Sequence, residues 1–201
     1  GGGLVGYTNN ATISESSNTG AVASTLTGSG NRVGGITGQV DLTSKVKNSY
    51  NLGAITANTT VADAYVGGAV GENLGTMEYT YSTGTVTSTC SSGNYAGGLV
   101  GSGGGVTYSY FNTDPAGANA TSSGGTGKTL AQMKLQSTYF SWNFDTMWSI
   151  AANATPALGD FNATILNPLN LAANSAAPTS IQLSWSSPGD AVVGYKVASL
   201  A

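Results

Sequence analysis

The sequence predicts an all-β protein built on a parallel β-helix, and three observations carry that expectation. A Gly-Gly-apolar-x-Gly motif occurs four times, at Gly2-Gly3-Leu4-Val5-Gly6, Gly34-Gly35-Ile36-Thr37-Gly38, Gly67-Gly68-Ala69-Val70-Gly71 and Gly97-Gly98-Leu99-Val100-Gly101. Its first glycines are 32, 33 and 30 residues apart, a period at which one supersecondary unit stacks on the next. Within each period the apolar residues recur at a spacing of two, and glycine is too frequent for a helix of ordinary length.

Each repeat then resolves into elements. After the glycine motif comes an apolar residue that opens a run of small and larger side chains: Ile13 to Ser17, Val46 to Tyr50, Met77 to Tyr81 and Val106 to Tyr110. In the first three repeats a turn follows at Gly20, Gly53 and Gly84, and then a β-branched stretch around Val22, Ile55 and Val86. Three extended pieces per repeat, stacked in register, give a β-helix of about four coils and a height of about 20 Å at ~4.8 Å per strand. Register places Leu4, Ile36, Ala69 and Leu99 in one internal ladder. Ile13, Val46, Met77 and Val106 form a second, and Val22, Ile55 and Val86 a third. Ser16, Ser49, Thr80 and Ser109 form a column of small residues, which implies a confined face. The paired glycines are expected where a Cβ would forbid the backbone conformation or a close approach.

These repeats, Gly-Gly-Leu-Val-Gly followed by Ile-Ser-x-Ser-x-x-Thr-Gly-x-Val, resemble the GLUG repeat of bacterial surface proteins and filamentous-haemagglutinin-like adhesins. The resemblance covers residues 1–114. Ser17 stands where an aromatic residue is expected, and Leu52 where threonine is expected before Gly53. It implies a β-solenoid fold, and a structural or adhesive role at the cell surface.

Residues 115–164 change character. The stretch 116–127 is loop-like in composition, and Thr129 with Gln132 forms a capping box that opens a helix from Leu130 to about Gln136. Trp142, Phe144, Trp148 and Ile150 then share one face of an alternating run, expected to plug the open end of the solenoid. The run also resembles the Trp-x-Phe-x-x-x-Trp-x-Ile tail that follows GLUG repeats. Residues 165–201 resemble the start of a fibronectin type III domain, with Ile181, Leu183 and Trp185 on one strand and Tyr195 and Val197 on the next. That leaves a β-sandwich incomplete, since the fold needs about 100 residues.

Composition narrows the function classes. Charged residues make up 7% of the chain, histidine is absent and the net charge is −3. Six Lys and Arg cannot form a basic footprint for nucleic acid. No run of about 20 apolar residues is present to span a membrane. The first residue is glycine, inside a repeat, so processing or truncation upstream is expected.

The chemistry-bearing residues are dispersed. Cys90, the single cysteine, cannot form an intramolecular disulfide and reads as an inert thiol in a loop or as an intermolecular bridge. Asn10, Asn58, Asn119, Asn153 and Asn162 head Asn-x-Ser/Thr sequons. Gly124-Gly125-Thr126-Gly127-Lys128-Thr129 resembles a phosphate loop, but Ser122 replaces its first glycine and no apolar strand precedes it. Glu15, Glu78, Asp41 and Asp63 fall in separate places and read as solvated carboxylates rather than an acid–base pair. No catalytic residue, metal site or cofactor is expected.

The tyrosines are the candidate site. Tyr50, Tyr81 and Tyr110 are equivalent in successive repeats, and Tyr79 and Tyr108 form a shorter column. They read either as an aromatic ladder that stabilises the stack or as an exposed strip for sugar rings or a partner surface, and exposure of Tyr81 decides. The expected function is an extracellular, cell-surface adhesin or stalk. Two further readings are a self-assembling filament subunit and a carbohydrate-binding β-helix. Expected partners are other copies in a head-to-tail contact, or a glycan or protein of a host or cell surface.

Overall fold

The computed structural model describes residues 1–25, 30–58, 63–90, 93–115, 117–159, 169–177 and 180–186. Residues Gly1–Asp160 form one compact unit and Phe161–Ala201 a second. In the first unit the chain winds through about three turns of a parallel β-solenoid. The first turn is β1 (Val5–Thr8), β2 (Thr12–Ser14), β3 (Ser17–Asn18), β4 (Val22–Ser24) and β5 (Asn31–Gly34). The second is β6 (Thr37–Val40), β7 (Lys45–Asn51), β8 (Ile55–Asn58) and β9 (Ala64–Gly67). The third is β10 (Val70–Asn73), β11 (Thr76–Ser82), β12 (Val86–Thr89) and β13 (Asn94–Gly97). A partial turn follows, with β14 (Val100–Gly103), β15 (Val106–Thr107), β16 (Tyr110–Asn112) and β17 (Thr126–Lys128).

Each strand pairs in parallel with its equivalent one turn away, giving four sheets: β1-β6-β10-β14, the long β2-β7-β11-β16-β17, β4-β8-β12 and β5-β9-β13. Two expectations are corrected here. The turns number about three rather than four. Each contains four sides rather than three, because β5, β9 and β13 form immediately before the paired glycines.

The ladders follow the expected register. Ile13, Val46, Met77 and Val106 are aligned, as are Val22, Ile55 and Val86. Ile36, Ala69 and Leu99 are fully buried and linked through backbone bonds. Leu4 takes its place in that ladder through its N–H to the Ile36 carbonyl, yet it is 45% exposed, because only one neighbouring turn covers it. The interior holds two apolar clusters. One is built on Ile36, Val46, Met77, Leu99 and Phe111, the other on Val33, Ile55, Val66 and Val86.

The paired glycines have no positive φ, so unusual backbone conformation is not why they are there. Close approach is. A Cβ on Gly68 would overlap the Gly98 carbonyl oxygen and the Ser82 hydroxyl, and one on Gly35 would overlap the Asn51 side chain and the Gly68 carbonyl oxygen. Left-handed backbone appears instead at a column that the sequence did not advertise: Glu15, Asn48, Tyr79 and Tyr108, with φ of 50°, 45°, 49° and 46°. This residue turns the corner in the long sheet, so alternation fails there. Val46 and Ser49 both point inward, with Lys47 and Asn48 between them. The small-residue column staples the corner. Ser16, Ser49, Thr80 and Ser109 each donate a side-chain hydrogen bond to the carbonyl two residues back, at 2.7–2.9 Å.

The stretch 116–127, expected to be a loop, caps the stack through its described residues 117–127. Asn119 Oδ1 accepts from the Val86 N–H (2.7 Å), and its Nδ2 donates to the Gly84 carbonyl (3.0 Å). A side-chain amide thus replaces the peptide group that a further turn would supply. Ser122 Oγ accepts from the Val100 N–H (2.9 Å), and β17 pairs with β16. The capping box forms as expected, with Thr129 Oγ1 accepting from Gln132 N (3.2 Å) and Gln132 Oε1 from Thr129 N (3.0 Å). Its helix, α1 (Leu130–Met133), is shorter than expected. Two short strands, β18 (Trp148–Ser149) and β19 (Ala157–Leu158), pair antiparallel.

In the second unit, β20 (Leu169–Ala177) and β21 (Ser180–Ser186) form an antiparallel hairpin with two register shifts. The expected strand at 181–185 lies within β21. The expected second strand, over 193–197, lies outside the described residues.

Candidate functional site

The tyrosine columns form as the repeat register requires. Tyr50, Tyr81 and Tyr110 align across β7, β11 and β16, and the rings of Tyr50 and Tyr81 stack at 5.2 Å, 8° apart. They do not form an exposed strip. Tyr81 is 0% exposed, Tyr110 is buried and Tyr50 half-buried. The correction has one cause: the aromatic run expected to plug the end of the solenoid lies against its flank. Trp148 packs 6.2 Å from Tyr81 and 6.1 Å from Tyr50, and Trp142 packs 6.1 Å from Tyr110.

Polar atoms lock that cover in place. Trp142 Nε1 donates to the Tyr108 carbonyl (2.7 Å), Tyr139 Oη to the Met133 carbonyl (2.7 Å) and Phe140 N–H to Tyr110 Oη (3.2 Å). Tyr81 Oη bonds to the Pro156 carbonyl and to Thr155 Oγ1. Burial pushes the phenols of Tyr81 and Tyr139 well above the ordinary tyrosine range. These groups hold their protons and belong to the core. In the shorter column, Tyr79 is half-buried and Tyr108 is 44% exposed, beside the 70% exposed Phe140.

A second aromatic column, missed in the sequence, stands on the β5-β9-β13 sheet. Arg32, Tyr65 and Tyr95 are in register. The Tyr65 and Tyr95 rings stack at 5.0 Å, 8° apart, and the Arg32 guanidinium carbon lies 5.4 Å from the Tyr65 centroid. On the adjoining sheet Gln39, Glu72 and Ser102 share a register. Glu72 Oε2 accepts from Arg32 Nε and from Gln39 Nε2 (3.0 Å). Arg32 Nη1 donates to the Gly30 carbonyl (3.0 Å). Tyr95 is 47% exposed. The signal was readable: a tyrosine follows the first residue of both β9 and β13, one repeat apart.

The remaining residues lie apart from one another. Glu78 is bridged to Lys45 Nζ (3.3 Å), Glu15 is exposed on the first turn, and Asp63 sits just before β9. Asp41 accepts from the Thr43 N–H (3.1 Å), and hydrogen bonds from Ser44 and then Thr43 hold its carboxyl below the ordinary range. Among the described residues no three Cys, Asp or Glu side chains gather as a metal site would need. No helix among them is long and apolar enough to cross a membrane. The phosphate-loop-like stretch is strand β17 followed by the Thr129 cap. Cys90 is half-buried against the Val33–Val66 cluster.

Of the sequons, Asn10, Asn58 and Asn153 are exposed, and Asn162 lies outside the described residues. Asn119 is fully buried with both amide atoms bonded. That placement is incompatible with a glycan on the folded chain and corrects the expectation for this position.

No family model, curated protein or solved structure matches the chain.

Proposed function

We propose that the chain is an extracellular structural and adhesive protein, a cell-surface adhesin or stalk of the GLUG-repeat kind, and not a catalyst. The observation that carries this reading is the stacked pair of half-buried Tyr65 and exposed Tyr95, held on a sheet whose backbone is fixed by ladder bonds on both sides of Tyr65. A binding group fixed before it meets its partner loses little freedom on association, which is how a rigid scaffold favours adhesion. The charge-poor surface supports the same role, since solubility rests on Asn, Ser and Thr side chains rather than on ions. Glu72 and Glu78 are each engaged by a cation, which leaves neither poised as a general acid or base. The fibronectin-like reading of the β20–β21 hairpin belongs to the same proposal.

Beads coated with the protein test it. They are expected to be retained under flow on epithelial monolayers or polysaccharide-coated glass well above albumin-coated beads. Equal retention overturns the adhesive role.

A further inference from the structure

Three pairs of tyrosines from neighbouring turns lie ring against ring, each pair 8° from parallel: Tyr50–Tyr81 at 5.2 Å, Tyr65–Tyr95 at 5.0 Å and Tyr79–Tyr108 at 5.4 Å. They differ in their surroundings. Tyr81 is fully buried, and its hydroxyl is bonded to Pro156 and Thr155. Tyr50 meets Trp148 at 6.1 Å and Tyr79 meets Trp142 edge-on at 6.5 Å, so an indole stands beside each of those pairs as a competing electron donor. Among the described residues, Tyr65 and Tyr95 have no ring neighbour but each other, and Tyr95 is 47% exposed. The closest pair is also the open one.

We propose that Tyr65 and Tyr95 are a cross-linking site, at which a one-electron oxidant such as a haem peroxidase with hydrogen peroxide joins the two rings as dityrosine. The inference goes beyond the adhesive reading and does not depend on it.

The chemistry is complete within the pair. Each phenol gives up one electron and its hydroxyl proton, which leaves two neutral tyrosyl radicals. These couple through the ring carbons ortho to the oxygens and form one carbon–carbon bond. Each of those carbons then loses its hydrogen as a proton while each oxygen regains one, which restores both phenols. The chain gives up two hydrogen atoms in all, and one hydrogen peroxide takes them up to become two waters.

Register makes the encounter intramolecular. β9 and β13 set Tyr65 directly opposite Tyr95. Arg32, itself held by Glu72 and the Gly30 carbonyl, lies over the Tyr65 ring at 5.4 Å. Reacting groups fixed in this way behave as if at very high local concentration, so coupling within the chain outruns coupling between chains. The new bond requires the rings to turn out of parallel, and its exposed side gives Tyr95 the room to turn. The product joins the second turn to the third and closes a loop one repeat long.

The test treats the whole 201-residue chain, in dilute solution, with a haem peroxidase and limiting hydrogen peroxide. Cleavage at Glu72 and Glu78 then parts Tyr65 from Tyr95. A monomer lighter by two hydrogen atoms is expected, with dityrosine fluorescence and the two fragments joined. Tyr79 and Tyr108 fall in one fragment, so coupling between them joins nothing. Tyr65→Phe and Tyr95→Phe should each abolish the joined product, because phenylalanine has no phenol to oxidise, while Tyr50→Phe leaves its yield unchanged. All three variants keep the ring, so melting temperatures equal to that of the unaltered chain are expected and separate lost chemistry from lost fold. Dityrosine confined to dimers, fragments that stay joined in Tyr95→Phe, or no joined fragments from the unaltered chain overturns the inference.

Discussion

A single methyl group measures how closely the turns approach one another. Gly68 leaves no room for one between the Gly98 carbonyl oxygen and the Ser82 hydroxyl, whereas a Cβ on Gly6, the closing glycine of the first motif, would meet nothing within 4 Å. Gly68→Ala is therefore expected to cost about 1–3 kcal/mol through overpacking. Gly6→Ala should be neutral or stabilising by up to about 1 kcal/mol through the unfolded chain. Urea melts of the two variants check the contrast. The buried phenols give a second expectation. Tyr81 and Tyr139 start from an unfolded value of 10.0 and are raised by burial in the folded chain. Below pH 10 both states keep these protons; above it the unfolded chain releases protons that the folded chain retains. Stability from this source is therefore complete below the unfolded value and is lost as pH rises past it. Melting temperatures should be flat between about pH 7 and 9 and fall above about 10, and Tyr81→Phe should reduce that fall.

The flank segment tests how elements share the load. Trp142 and Trp148 are both buried in the same aromatic cluster, and their rings lie 4.4 Å apart. Trp142 Nε1 donates to the Tyr108 carbonyl, while Trp148 Nε1 is buried with no partner among the described residues. Replacing either by Phe removes a similar volume. Trp142→Phe should therefore cost about 1 kcal/mol more than Trp148→Phe, the net worth of one hydrogen bond. Thermal unfolding of the pair reads the difference. The inward ladders through Ile36, Val46 and Ile55 were legible in the sequence because register stacks like on like at a fixed period. The fourth side of each turn was not. In Asn31-Arg32-Val33-Gly34 one inward apolar residue sits between polar neighbours and a glycine, too short a run to show alternation. The left-handed corner was hidden because Glu15, Tyr79 and Tyr108 are not residue types that favour it. The direction taken by Trp142 and Trp148 was beyond local reading, since end and flank of a solenoid offer equally apolar targets. That direction buries the Tyr50–Tyr81–Tyr110 column and leaves Tyr95, stacked on Tyr65, exposed on another sheet.

At the scale of the molecule, the first unit is held by contacts that reach from one turn to the next, between residues about one repeat apart, such as Ala11 with Ser44, Asn51 with Ser82 and Thr80 with Ser109. Such a body behaves as a one-dimensional array with nearest-neighbour coupling. Its bonds also share a direction, along the stack. A pulling force between the first turn and the cap therefore acts along those bonds and opens them a few at a time, instead of shearing a whole sheet at once. In an optical trap the unit should yield in discrete steps, each releasing about 100 Å of chain, the extended length of one repeat. A single all-or-none rupture would show that the turns are coupled more widely than their contacts indicate. A body made this way is a tether that lengthens by instalments, dissipating a tug at one end before the strain reaches the other.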